Sequence, residues 1–171
     1  MLKTHQLNVN GQVVSFKSGA DSNALQIIRN QLGLTASRYG CGQEQCGACH
    51  VLVDGQSKPS CQLPVDALLG RSVVTLESVQ NPDLPSTPYV KALQAAFIEA
   101  QAAQCGYCTS GLLISATALL MNAHETVSEL QIREALEPHL CRCGTYNRVL
   151  RAVKNAAVQC GLKVLHAEVS E

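Results

Sequence analysis

Nine cysteines stand in this chain of 171 residues, and eight of them fall into two spaced sets. Cys41, Cys46, Cys49 and Cys61 read C-x4-C-x2-C, then eleven residues, then a fourth cysteine. Gly40, Gly42 and Gly47 crowd the same loop. This is the spacing of a plant-type [2Fe–2S] site. Such a core needs four thiolates, two on each iron, and three ligands from one loop force that loop to bend tightly. Glycine permits the bend, and the loop N–H groups then turn inward as a nest for the sulfur charge. Structural zinc favours paired C-x2-C knuckles, so three thiols in one loop suit it poorly. Cys105 and Cys108 form C-G-Y-C; Cys141 and Cys143 form C-R-C after thirty-two intervening residues. Spacing alone leaves this second set open between a cluster and zinc. A thioredoxin-like dithiol needs a βαβ context that is absent. Cys160 stands alone and reads as an inert small hydrophobe. His50 directly follows Cys49, but a Rieske centre needs paired histidines at another spacing. His5, His124, His139 and His166 read as surface or capping residues.

Composition narrows the setting. The formal net charge is zero and charged residues make up 15%. Neither nucleic acid nor an anionic membrane finds an electrostatic partner in that balance. Low charge on a small chain hints at a surface covered by another protein. A disulfide scaffold would need export, and Met1 to Gln6 has no apolar run behind it, so a cytoplasmic location is expected. The apolar stretch Leu112 to Met121 is too short to span a bilayer. No Rossmann fingerprint or P-loop occurs, and no nucleophile or general-base constellation. The chain is expected to do no bond chemistry of its own.

The elements that must position the cysteines follow from the pattern. Leu7 and Val9 alternate with polar residues, Asn10-Gly11 follows, and Val13 to Phe16 continues, which predicts a hairpin. Asp21 or Ser22 can cap a helix to about Gln31, with Leu25, Ile28 and Leu32 on one face and Gly33 as its stop. After the cysteine loop come a strand over Val51 to Val53, a turn at Asp54-Gly55, and a last strand over Val73 to Leu76. Three prolines between residues 79 and 88 make a stiff linker. Beyond it the period turns helical. Val90, Leu93 and Phe97 form one stripe, and Leu112, Leu113, Ala116, Leu119 and Leu120 another. Thr126-x-x-Glu129 offers a capping box for a helix through Leu136, and Val149, Leu150 and Val153 mark a fourth helix. The expected class is α+β: a strand-rich half followed by an all-α half of about four helices. The boundaries are a cysteine-loop domain over 1–78, a linker over 79–88, a helical domain over 89–160 and a tail over 161–171.

Taken together, Gly40 to Cys49, Gln104 to Cys108 and Cys141-Arg142-Cys143 resemble the small iron–sulfur subunit of the xanthine dehydrogenase, or molybdenum hydroxylase, family. The resemblance runs from Asn8 to about Ala157. It implies a plant-ferredoxin-like β-grasp domain and a four-helix bundle, each with one [2Fe–2S] cluster. The second set, Cys105, Cys108, Cys141 and Cys143, would lie nearest a molybdenum–pterin cofactor held by a large partner subunit. Gln104 would touch the pterin, and the first cluster would face the next acceptor, a flavin subunit or a cytochrome. The implied function is relay of single electrons from molybdenum to that acceptor. The substrate would be an N-heteroaromatic or an aldehyde, and the complex could reach a membrane only through a partner. Arg142, between two ligands, is expected to stabilise the reduced cluster. Departures are Glu44 where glycine is common, His50 where threonine often stands, and Ser110 where proline often stands. Ala102-Ala103-Gln104 and Gly144-Thr145-Tyr146 resemble the branch that oxidises nicotinate or isoquinoline. A free ferredoxin-type carrier is the first alternative, but such carriers are usually acidic; co-elution with a molybdoprotein separates the two. A metal-binding regulatory protein is the second; it would need a basic DNA-binding helix, and zinc without iron would mark it.

Overall fold

In the computed structural model, which describes residues 2–19 and 22–165, β1 (Lys3–Val9) and β2 (Gln12–Ser18) pair antiparallel, with Leu7 opposite Val14. The turn between them holds Asn10 and Gly11 at φ 53 and 80, as an Asn-Gly hairpin requires. Leu7, Val9 and Phe16 are buried on one face. The next helix differs from expectation. Asn23 is its cap, accepting from the Gln26 N–H, while the Ser22 hydroxyl accepts from Gly19; Asp21 lies outside the described residues. The helix, α1 (Ala24–Gln26), widens at once into a π-helical turn over Ile27–Gln31. Leu25 and Ile28 are nonetheless buried as the periodicity predicts, and Gly33 ends the run at φ 70.

β3 (His50–Val53) and β4 (Gln56–Pro59) form a second hairpin around Asp54 and Gly55, both at positive φ. β5 (Ser72–Val74) runs parallel to β1 and antiparallel to β3, giving a sheet ordered β2-β1-β5-β3-β4. The predicted last strand is shorter than expected, because Leu76 opens a 3-10 turn to Gln80. Every residue of β3 is buried. Side chains alternate across a strand, so Val51 and Val53 join the core beneath α1 while Leu52 joins the core of the helical half. His50 shares the Leu52 face. One strand therefore belongs to both cores.

The proline-rich stretch is fastened by the Thr87 hydroxyl, which donates to the Ser78 and Asn81 carbonyls. Pro88 falls in the first turn of α2 (Thr87–Glu99), where a missing N–H costs nothing. α3 (Thr109–Asn122), α4 (Glu129–Leu136) and α5 (Tyr146–Gln159) follow. α3 is the central helix: Leu112, Leu113, Ile114, Ala116 and Leu120 are buried all round it. Two details correct the sequence reading. The capping box is Ser128 with Gln131, two residues beyond Thr126 and Glu129. The helical half also carries two short parallel strands, β6 (Thr126–Ser128) and β7 (Lys163–Leu165).

Candidate metal centres

The first cysteine set converges on a loop between the π-helical turn and β3. The backbone N–H groups of Gln43 and Gln45 donate to Cys41 Sγ at 3.3 and 3.2 Å, and the Cys41 N–H donates to Cys46 Sγ at 3.3 Å. Burial pushes the Cys41 thiol up, but these N–H donors outweigh it and bring it down to about 7. Cys49 and Cys61 lie buried against each other beside Leu25. Burial and the neighbouring thiol drive Cys61 up to about 11. Ser60 steadies the fourth cysteine by donating to the Cys49 carbonyl at 2.6 Å, and Gln62 Nε2 donates to the Gly42 carbonyl at 2.5 Å.

The loop glycines are demanded by space. A Cβ on Gly40 would stand 2.5 Å from Cys46 Sγ, and one on Gly42 would overlap the Tyr39 ring. Gly47, at φ 72, touches the His139 imidazole where a Cβ would go. Glu44 holds φ 59, a left-handed conformation that costs a non-glycine residue about 1 kcal/mol. Its N–H acts to lower the Cys61 thiol, against the larger effect of burial.

The second set is assembled from two helix ends. Cys108 caps α3, and Cys141 and Cys143 occupy the turn between α4 and α5. Their thiols lie close enough to act on one another: Cys143 and Cys141 on Cys105, and Cys141 and Cys105 on Cys108. Cys108 is buried and pushed up to about 12 by burial and by the Cys141 thiol. Burial also raises Cys141, yet the Thr145 hydroxyl and N–H bring it down to about 7. Cys105 is exposed, and the Tyr107 N–H lowers its pKa. Gln104 is exposed beside it, and Arg142 is exposed between its two cysteines. Cys160 caps α5 half-buried, its thiol raised by burial, and belongs to neither set.

Both sets suit a two-iron core. A single tetrahedral ion draws its sulfurs to about 2.3 Å from one point, whereas a two-iron core takes its thiolates in pairs. The backbone N–H donors aimed at sulfur in the first set, and the mutually close thiols of the second, fit that second demand.

The two loops touch. The Leu140 N–H donates to the Cys46 carbonyl at 3.1 Å. Arg38 Nη1 donates to the Gly106 carbonyl at 2.8 Å with its guanidinium over the Tyr107 ring, and the Tyr107 hydroxyl donates to the Tyr39 carbonyl. Between them lie residues that sequence reasoning placed elsewhere. His139, expected at the surface, is 1% exposed and stacks edge-on against buried His50. Burial holds His50 down to about 4 and His139 down to about 3, so both rings are neutral. No local pattern marks either histidine, since their partners come from β4 and α3. His124 is exposed, His5 stacks on Phe16, and His166 lies outside the described residues.

Residues 7–70 match the family described as 2Fe-2S iron-sulfur cluster binding domain, and residues 75–154 the [2Fe-2S] binding domain. The chain is 45% identical over 157 residues to one of the subunits of nicotinate dehydrogenase from Pseudomonas putida, covering 92% of this chain and 96% of that one. It is 38% identical to the alpha subunit of isoquinoline 1-oxidoreductase from Brevundimonas diminuta, over 87% of this chain and 94% of the other. Among solved structures, quinoline 2-oxidoreductase from Pseudomonas putida superposes with a TM-score of 0.80 at 30% identity, over 94% of this chain and 96% of that one. No helix among the described residues is long and apolar enough to cross a membrane.

Proposed function

The chain belongs to the small iron–sulfur subunits of the molybdenum hydroxylases, and from that premise we propose that Cys41, Cys46, Cys49 and Cys61 hold one [2Fe–2S] cluster and Cys105, Cys108, Cys141 and Cys143 the other. It is the electron-transfer subunit of an oxidoreductase complex and works beside a larger molybdenum subunit. Held by these two sets of cysteines, the clusters would supply one-electron chemistry, so that the electron pair released by a hydroxylation would leave singly.

The chain's own residues set where this happens and at what potential. The Gln43 and Gln45 N–H groups favour negative charge on Cys41, which stabilises a reduced first cluster. Thr145 does the same for Cys141. Exposed Gln104 and Cys105 form the face that meets the pterin in the partner, and Arg142 adds positive charge there. The first set, Cys41, Cys46, Cys49 and Cys61, would hold its cluster toward the next acceptor, a flavin subunit or a cytochrome. We take the domains as 1–78 and 89–160, joined by the segment 79–88. The substrate is an N-heteroaromatic, a reading supported by the names of the nicotinate and isoquinoline relatives and by the length of chain they share with this one. Nine free thiols suit a reducing compartment, the cytoplasm.

The observation that carries this reading is the convergence of two sets of four thiols, one in a nest of N–H donors and one across two helix ends. Its test is EPR of the dithionite-reduced complex with iron and molybdenum analysis. Two distinct cluster signals with molybdenum in the same fraction are expected. A single signal with half the iron defeats the assignment of the second set.

A further inference from the structure

A single hydroxyl on α3 joins the two cysteine loops. Ser115 Oγ lies 2.7 Å from His139 Nε2, 2.7 Å from Ser57 Oγ and 3.2 Å from His50 Nδ1. Ser57 Oγ in turn lies 2.7 Å from His50 Nδ1. These four side chains come from β3, β4, α3 and the segment after α4, so the network crosses from one domain to the other. His50 follows Cys49 directly, and His139 stands two residues before Cys141. One order of donors satisfies both hydroxyls. His50 Nδ1–H donates to Ser57, Ser57 O–H to Ser115, and Ser115 O–H to His139 Nε2. The His139 Nδ1–H then faces the Gly47 carbonyl, at a geometry short of a full hydrogen bond.

We propose that His50, Ser57, Ser115 and His139 form a positioning strut that fixes the separation and mutual orientation of the two iron–sulfur centres. The inference rests on the ligand assignment above. Three features make the network more than interdomain glue. His139, Leu140 and Cys141 are consecutive. Anchoring the first therefore seats the Leu140 N–H on the Cys46 carbonyl and sets the position of Cys141. The packing is at backbone contact: a Cβ on Gly47 would overlap His139, and one on Gly111 would overlap the Gly47 carbonyl. Finally, α3 acts as a rigid ruler. Cys108 caps it and Ser115 stands two turns later, about 10 Å along the axis. A cysteine of the second set and the hub of the strut thus share one helix.

The test is low-temperature EPR of the complete, fully reduced complex, read as the magnetic splitting between the two centres. Ser115→Ala is expected to keep the iron content and both cluster signals while the splitting shifts or broadens. Ser57→Ala, which spares the Ser115–His139 bond, is expected to change it less. Ser115→Thr keeps the hydroxyl and is expected to restore the unaltered splitting. An unchanged splitting in Ser115→Ala, with both signals present, overturns the proposal. So does a change in Ser115→Thr as large as in Ser115→Ala, which would trace the effect to packing. Should Ser115→Ala fail to assemble, Ser57→Ala decides: an unchanged splitting there overturns the strut. An unaltered complex with one signal would instead defeat the ligand assignment before any variant is made.

Discussion

The two metal centres are built by opposite means. In the first, three of four cysteines lie in one loop whose own backbone donates to sulfur, and Cys49 and Cys61 are sealed beside Leu25. In the second, each cysteine pair comes from a different helix end, and the thiols meet only because α3, α4 and α5 pack together. The first is a local structure with one distant cysteine. The second is a tertiary structure with no local form. The contrast teaches where each is vulnerable: the loop to changes in its backbone, the helix ends to changes in the packing that brings them together.

The largest effects separate the two directly. Cys49→Ser is expected to abolish the first cluster signal and to lower the melting temperature of the chain, because a buried thiol beside a core is lost. Cys105→Ser, at an exposed position, is expected to abolish the second signal and leave the melt nearly unchanged. Equal losses of stability in the two variants would break the contrast. Next, Gly47→Ala places a side chain at φ 72 against His139 and is expected to cost about 2–5 kcal/mol by denaturant unfolding. A change below about 1 kcal/mol would mean that the loop yields, contrary to close packing.

Smaller shifts test the charges at each centre. Glu44→Gly relieves a left-handed residue and removes a negative charge, so it is expected to stabilise by about 1 kcal/mol and to raise the first cluster's potential. Arg142→Ala is expected to lower the second cluster's potential, by a small amount because the side chain is exposed. Potentiometric titrations that move in the same direction, or not at all, would refute this pairing. The smallest effect concerns the helices flanking the second set. Glu129 binds Lys154 of α5 at 2.9 Å and Arg133 of its own helix at 2.6 Å. The Lys154 hydrogen bond, then that of Arg133, holds its carboxyl down to about 2, against 4.5 ordinarily. A depressed folded-state pKa means stability that is full above about 4.5 and lost as pH falls toward about 2. Melting curves of Glu129→Gln are expected to depend less on pH across that window than the unaltered chain, and parallel dependence would remove Glu129 from the account.

Legibility in the sequence tracked the same divide. The first cysteine loop and the turns at Asn10-Gly11 and Asp54-Gly55 were readable because each depends on a short run of residues. The second set was ambiguous by spacing and took its meaning from resemblance, since Cys108 and Cys141 find each other only through packing. The helix near Asn23 is legible but its cap is not, because Asp21, Ser22 and Asn23 are all plausible acceptors and only the Gln26 N–H distinguishes them. Ser128-x-x-Gln131 fits the capping-box pattern as well as Thr126-x-x-Glu129 does, so that choice required the fold. The three-residue strands β6 and β7 pair across a long stretch of chain and leave no periodic trace. His50 and His139 were hidden for a related reason: a buried histidine looks like a surface one until its partners are known.

The contact between Leu140 and Cys46 has an evolutionary consequence. Donor and acceptor are both main-chain atoms, so the bond that ties the two loops is indifferent to which side chain stands at position 140. Leu140 itself is 64% exposed, so little packing constrains its identity. Every residue but proline, which has no N–H to give, can make this bond. This one link between the two centres, unlike the side-chain network through Ser115, is therefore inherited through the shape of the chain, and position 140 could be rewritten many times without altering it.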